Sequence, residues 1–376
     1  EKARILSLKS ESYYDVLKIL NLKIELLNNN NNVLEIENHI NKYKTSIKKT
    51  NKLILDQIEL EEIYLKIIKW NKNIEWIRNK EEKEELLKIF DCALLNSNNI
   101  PISNKSKILY YYIKGLHSYL QSSFTEALSF FQKELNVFHK EKWLKNELSA
   151  YLRCLANNCL LAILENNDEI YKECFNELKE VSFETPLLKK LQYYYINLLQ
   201  VKKLFKDNNI NKAISLIEET SETVKSIENA FFKKNIMYNE ITIMAFVKID
   251  IYLNNKQTKK ALNTTNYFLN NANKKLKKDS YALARILNLL IHFKLKHYDL
   301  LEYELLSAKK HFITNGRFFT FEKVMLKFLK DLLSTNEKKK IESLHKNLKA
   351  KFAELKKDPF EKVVFQFYDF ENWENK

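Results

Sequence analysis

Apolar residues recur along this chain at steps of three and four, and short polar runs interrupt them at intervals. Tyr13, Tyr14, Val16, Leu17, Leu20, Ile24 and Leu27 form one such stripe; Val33, Ile36, Ile40, Tyr43 and Ile47 form the next. A third runs through Ile54, Ile58, Ile63, Ile67 and Trp70. This is the period of an amphipathic helix, not of a strand. The interruptions are Asn28–Asn32, Asn96–Asn99 before Pro101, Gln121–Ser123, Asn166–Asp168, Asp207–Asn209, Asn254–Thr258 and Thr335–Glu337. Asn, Asp and Ser side chains compete for backbone hydrogen bonds and so favour turns over helix interiors. The segments between them have the length of single helices in a helix–turn–helix array, about 14–25 residues each.

Composition sharpens this picture. Only Gly115 and Gly316 supply glycine, and only Pro101, Pro186 and Pro359 supply proline, in 376 residues. So few turn residues cannot build many β-hairpins or tight βα turns. Two isolated glycines also exclude the glycine-rich phosphate loops of dinucleotide folds and P-loop NTPases. The expected fold is all-α: an α-solenoid of TPR-like antiparallel helix hairpins, wound as a right-handed superhelix. Residues 1–100 are expected to form N-terminal helical hairpins, 101–356 the repeat array and 357–376 a capping helix, in one continuous solenoid. The longest apolar stripe is far too short to span a bilayer.

The sharpest repeat signal lies in Tyr110–Leu135, where Tyr111, Gly115, Ala127 and Phe131 occupy the offsets of a tetratricopeptide repeat. Small residues at the Gly and Ala places let two helices approach closely, and the aromatics fill the remaining space. Lys114 and Ser118 depart from that pattern. Weaker copies open at Ala213, with Ile217 in the aromatic place, and at Ala261, with Tyr252 upstream. The pair Tyr281–Leu295 and Tyr298–Phe312 keeps the hairpin and loses the Ala. Further on, Leu283–Phe312, Phe321–Leu333 and Lys357–Trp373 together resemble the C-terminal half of a family of Bacteroidota TPR-like proteins of uncharacterised function. The resemblance is clearest over Asp279–Trp373 and extends more weakly to Glu1. It implies a helical-repeat scaffold, with no catalytic residues to carry over; family members have a further helical N-terminal region that this chain lacks. The start at Glu1, without Met, leaves room for an upstream segment or a removed signal peptide.

The net charge of +15 comes from lysine, since only five of the 63 cations are arginine. An Arg-poor basic protein is a weak sequence-specific reader of nucleic acid, so most of this charge reads as solvated surface. Cys92, Cys154, Cys159 and Cys174 show no CxxC or zinc spacing and read as free thiols, which favours a reducing compartment and hence the cytoplasm. The histidines are dispersed, with His292 and His297 five apart, so no metal or cofactor is expected. No catalytic constellation is evident, and the chain is read as non-enzymatic.

Two surfaces stand out. The triplets Tyr110–Tyr112 and Tyr193–Tyr195 span about 200° of a helix, which turns at least one Tyr of each out of the core. With them, Tyr111, Tyr112, Tyr194, Asn197, Gln200, Asn235, Asn239 and Arg285 are expected to line a concave groove for a peptide or protein segment. Lys274, Lys275, Lys277 and Lys278 form a candidate anion-attracting patch. The expected function is therefore a protein–protein interaction scaffold, with no membrane insertion. An RNA- or ribosome-associated protein is the alternative, with nucleic acid as a secondary partner. A peptide-sensing regulator with an upstream DNA-binding domain is the third.

Overall fold

A computed structural model describes residues 1–27, 33–96, 100–234, 236–273 and 277–373. The expected break at Asn28–Asn32 and most of that at Asn96–Asn99 lie outside the described residues. Within them the chain is all-helical and no strand occurs. The helices are α1 (Lys2–Lys9), α2 (Tyr13–Leu27), α3 (Val33–Asn73), α4 (Lys80–Phe90), α5 (Ala93–Asn96), α6 (Asn104–Leu120), α7 (Phe124–Lys140), α8 (Leu148–Leu164) and α9 (Asp168–Glu180). Then come α10 (Pro186–Lys206), α11 (Ile210–Lys234), α12 (Tyr238–Asn254), α13 (Thr258–Asn271), α14 (Lys278–Lys294), α15 (Tyr298–Thr314), α16 (Thr320–Leu333) and α17 (Lys338–Leu355). Helices pack on their neighbours in sequence, the arrangement of a helical-repeat solenoid. No helix among the described residues is long and apolar enough to cross a membrane.

Six helix pairs (α1/α2, α6/α7, α8/α9, α10/α11, α12/α13 and α14/α15) are joined by the same device, a linker of three residues. Its middle residue takes left-handed backbone: Glu11 (φ 52°), Ser122 (62°), Asn166 (56°), Asn208 (59°), Lys256 (56°) and Lys296 (59°). The next N–H then donates back to a carbonyl in the preceding helix, as in Ser123 to Ser118 at 2.9 Å, Asn209 to Leu204 at 2.8 Å and Gln257 to Tyr252 at 2.8 Å. This is the Schellman closure, which satisfies carbonyls that a helix end would otherwise leave orphaned. Glycine is the usual residue at the left-handed position, yet here only the turn after α15 has it, at Gly316 (φ 66°).

The chain divides into two compact units. One comprises Glu1–Ile68 and Leu86–Leu161; the other comprises Lys69–Glu85 and Ala162–Lys376. These boundaries differ from the expected ones at 100 and 356.

In the first unit, α6 and α7 make the closest hairpin. A Cβ added at Gly115 would stand 2.5 Å from the Phe131 ring, and Ala127 is fully buried beside it. The repeat signal thus marks a close helix approach. The two departures are accommodated locally: Lys114 donates to the Leu95 carbonyl at 3.3 Å and Ser118 to Glu126 at 2.9 Å. In α3, whose residues from Lys69 on belong to the other unit, the expected Ile63, Ile67 and Trp70 are buried, with Leu53 and Leu60, while Ile54 is partly buried and Ile58 exposed. The second and third apolar stripes also fuse into this one helix, because no Gly, Pro or Asn run separates them. Glu134 on α7 is wholly buried, and both its oxygens lack hydrogen-bond donors. Its compensation is Arg153, 3.6 Å away, whose guanidinium stacks 3.7 Å from the Tyr112 ring centre.

In the second unit, Ala213, Ile217 and Ala261 are buried at the places the weaker repeat copies assign them. Residues 74–79 leave the helix and are gripped by charge. Arg78 is buried and donates to both Glu322 oxygens at 3.1 Å and to Glu361 at 2.9 Å. Arg317 pairs with Glu82 and lies 3.3 Å from Asp279. Glu75 accepts from the Ser280 N–H and hydroxyl, both at 2.7 Å, and Glu361 from the Thr320 N–H at 2.7 Å. Distant carboxylates thereby cap α14 and α16. In the other unit Glu11 caps α6 likewise, accepting from the Asn104 and Lys105 N–H groups at 2.5 and 2.8 Å. The expected capping helix at 357–376 is instead a run of turns around a 3-10 turn, Lys362–Gln366. Its aromatics still cover the last helices: Phe370 meets Phe321 at 4.9 Å and Phe367 stacks on Trp76 at 4.2 Å. Residues 374–376 lie outside the described residues.

Two outcomes follow for stability. A side chain at a left-handed position costs more than glycine, so Lys256→Gly and Lys296→Gly should each stabilise the chain by about 0.5–1 kcal/mol. Urea denaturation would show this as a raised midpoint at unchanged slope; an unmoved midpoint would contradict it. Burial lifts Glu134 to about 7, against the lowering pull of Arg153. The folded chain then keeps a proton that the unfolded chain releases, so this contribution is full below the ordinary carboxylate range and is lost as pH rises through about 7. Glu134→Gln should flatten the thermal midpoint against pH across that window, and parallel profiles for the two proteins would refute the assignment.

Candidate functional site

In the second unit, α11 and α13 both pack on α12 and little on one another, which leaves a cleft between them. Ile217, Ser221, Lys225, Glu228 and Phe232 recur at three- and four-residue steps and place one face of α11 along one wall. Asn263, Thr264, Tyr267 and Phe268 of α13 form the opposite wall, and Ile241, Ala245, Lys248 and Tyr252 of α12 form the floor. The cleft is open to solvent and has a volume of about 210 Å³. Ala245 keeps the floor low where a larger residue would fill it. Two side-chain bridges cross from wall to wall: the ion pair of Lys260 with Glu218, and the Tyr267 hydroxyl donating to Asn229 Oδ1 at 2.8 Å.

The electrostatics of the cleft centre on Glu228 of the α11 wall. Its carboxylate is buried, accepts a hydrogen bond from the Tyr194 hydroxyl at 2.9 Å and lies 3.8 Å from Lys248 Nζ. Burial, followed by the nearby Glu228 charge, holds the Tyr194 phenol well above its ordinary range, and the same two causes raise Tyr267. Both hydroxyls therefore stay protonated and serve as donors. Lys225 reaches over the Tyr267 ring, its Nζ 5.6 Å from the ring centre. A wider hollow of about 470 Å³ lies between α10 and α11, lined by Lys189, Lys190, Tyr193, Glu222 and Thr223 among others. It is open and has two walls only, so the α11–α13 cleft is the better-formed site.

The residues expected to line a groove are divided between the two units. Tyr111 and Tyr112 belong to the first unit, and Tyr194, Asn197, Gln200, Asn239 and Arg285 to the second. Each tyrosine triplet does turn one ring outward, Tyr111 and Tyr193 being only partly buried. Tyr112, Tyr194 and Asn197, however, are buried: Tyr112 lies under Arg153, Tyr194 is bonded to Glu228, and Asn197 donates to the Tyr193 carbonyl at 2.8 Å. Arg285 is committed to Glu304 and Ser307 of α15, both at 2.9 Å. Gln200 is partly buried and Asn239 exposed, and Asn235 lies outside the described residues.

The lysine patch fares similarly. Lys274 and Lys275 lie outside the described residues. Lys277 is buried, with its amine donating to the Asn71 carbonyl at 2.6 Å and side-chain oxygen at 3.0 Å. It anchors residues 69–85 and is no part of a surface patch; Lys278 remains partly exposed.

Sequence reading singled out none of the cleft residues as a site, naming only Ile217 and Tyr252, as repeat positions. Ala245 carried the available signal, a small residue on an otherwise bulky helix. No protein-family model, curated protein or solved structure matches this chain.

The Tyr194–Glu228 bond gives a direct test of how the α11 wall is held. Tyr194→Phe should cost about 1–3 kcal/mol, because it leaves a buried carboxylate short of a donor. Tyr193→Phe, in the open hollow, should be near neutral. Equal urea midpoints for the two variants would show that the bond contributes nothing.

Proposed function

We propose that this chain is a non-enzymatic protein–protein interaction scaffold that holds a peptide or protein segment in the α11–α13 cleft. One observation carries the reading: the faces of three helices bound an open hollow with an apolar base and a polar rim. That combination suits an anchoring side chain better than a reacting group. Ile217, Ile241, Ala245 and Phe268 would receive an apolar group, while Ser221, Asn263 and the two lysines would meet the backbone or a polar neighbour. Helical-repeat scaffolds work in this way, by presenting an extended surface built from successive hairpins.

A photo-crosslinking amino acid at Asn263, on the exposed wall, tests it in cells. Adducts should form there, should disappear when Ala245→Phe fills the floor, and should be absent from a matched label at Lys323 on α16. Adducts equal at both positions, or insensitive to Ala245→Phe, would rule out the cleft as the holding surface.

A further inference from the structure

The charges in the cleft are unbalanced, and the imbalance has a direction. Lys225 and Lys248 face one carboxylate, Glu228. Glu228 is already engaged: the Tyr194 hydroxyl donates to it at 2.9 Å, and Lys248 stands at the long distance of 3.8 Å. Among the described residues Lys225 has no carboxylate within ion-pair reach; its ammonium rests instead over the Tyr267 ring. That contact fixes its direction without neutralising it. The neighbouring Lys260 is different, because Glu218 already pairs with it. One cation at the rim is therefore positioned and unspent, above a base of Ile217, Ile241, Ala245 and Phe268.

Resting on the scaffold reading above, we propose that the cleft selects a protein segment by an acidic side chain beside an apolar one. The apolar group would enter over Ala245, and the Asp or Glu carboxylate would lie against Lys225, with Ser221 and Asn263 as further donors. Thr264 cannot add one, since its hydroxyl donates to the Lys260 carbonyl at 2.9 Å. A carboxylate fits this set because hydrogen bonds between ionised groups are stronger than neutral ones, and Lys225 is exposed, already oriented and unopposed by a carboxylate. A basic segment would meet two lysines with no free carboxylate to answer it.

Two labelled peptides of alternating Leu and Glu, or Leu and Gln, titrated with the full chain by fluorescence anisotropy, decide the matter. The Glu peptide should bind about tenfold or more tightly than the Gln peptide. Lys225→Glu should remove that preference, whereas Lys323→Glu, which lowers the net charge equally on α16, should leave it intact. Equal loss in both variants would assign the effect to overall charge and overturn the proposal. So would displacement of the Glu peptide by inorganic phosphate at matched anion concentration, which would mark a phosphate site. If Leu–Gln binds as well as Leu–Glu and Ala245→Phe abolishes both, the cleft holds segments without reading charge, and this inference alone falls. If neither peptide binds and the Asn263 label forms no adduct, the scaffold reading falls with it. Helical circular dichroism of each variant confirms that it is folded before binding is compared.

Discussion

The fold rests on one backbone constraint: each of six hairpins reverses through three residues, the middle one left-handed. Three residues lie within the short range of connections that join antiparallel helices, and the left-handed middle residue fixes which of those conformations is used. With the turn fixed, each second helix starts at a set place beside the first, so its apolar face meets its partner without further specification. Glycine would make this turn without strain, yet Glu, Ser, Asn and Lys occupy the position. The strain is tolerated because packing on either side determines the conformation, as between Gly115, Ala127 and Phe131 in the α6/α7 hairpin.

Helix beginnings show a second economy. The residues before α14 and α16, Lys277 and Phe319, are poor N-caps, as their side chains cannot accept from the first turn. Glu75 and Glu361 arrive from elsewhere in the same unit to do so, and Glu11 serves α6 in the other. A carboxylate at a helix start neutralises orphan N–H groups and meets the positive end of the helix dipole. Burial raises the cost of such groups, and Arg78 and Arg317 offset it by lying among them. The result binds residues 69–85 firmly into the second unit even though six of them are not helical.

Much of this was legible in the residues. Tyr111, Gly115, Ala127 and Phe131 named the tightest hairpin, because spacing and side-chain size alone set helix approach. The breaks at 121–123 and 207–209 fall on the linkers, since Ser, Asp and Asn announce turns locally. The unbroken α3 was not anticipated: lysines at 48–52 are as compatible with a helix as with its end. The stripe expected there from Ile54 to Trp70 fails only at Ile58, because Leu55, Ile58 and Leu65 put apolar residues on the exposed side as well. The candidate site was less legible still. Lys277 looks like any surface lysine, and only its partner Asn71, 206 residues away, makes it a buried one. Ser221, Asn263 and Ala245 acquire meaning only when three helices are set side by side.

Arg78 and Glu361 are separated by 283 positions, whereas almost every other contact in a helical-repeat fold is made between near neighbours. During synthesis the hairpins of α10 to α15 can pair as each leaves the ribosome, but the guanidinium must wait for a carboxylate translated long afterwards. Until then a buried cation lacks one counterion, and the region around Trp76 has no lid. Closure around residues 69–85 therefore draws on a set of long-distance partners, Lys277, Ser280, Arg317, Glu322 and Glu361, none of which exists until the C-terminal helices have been made.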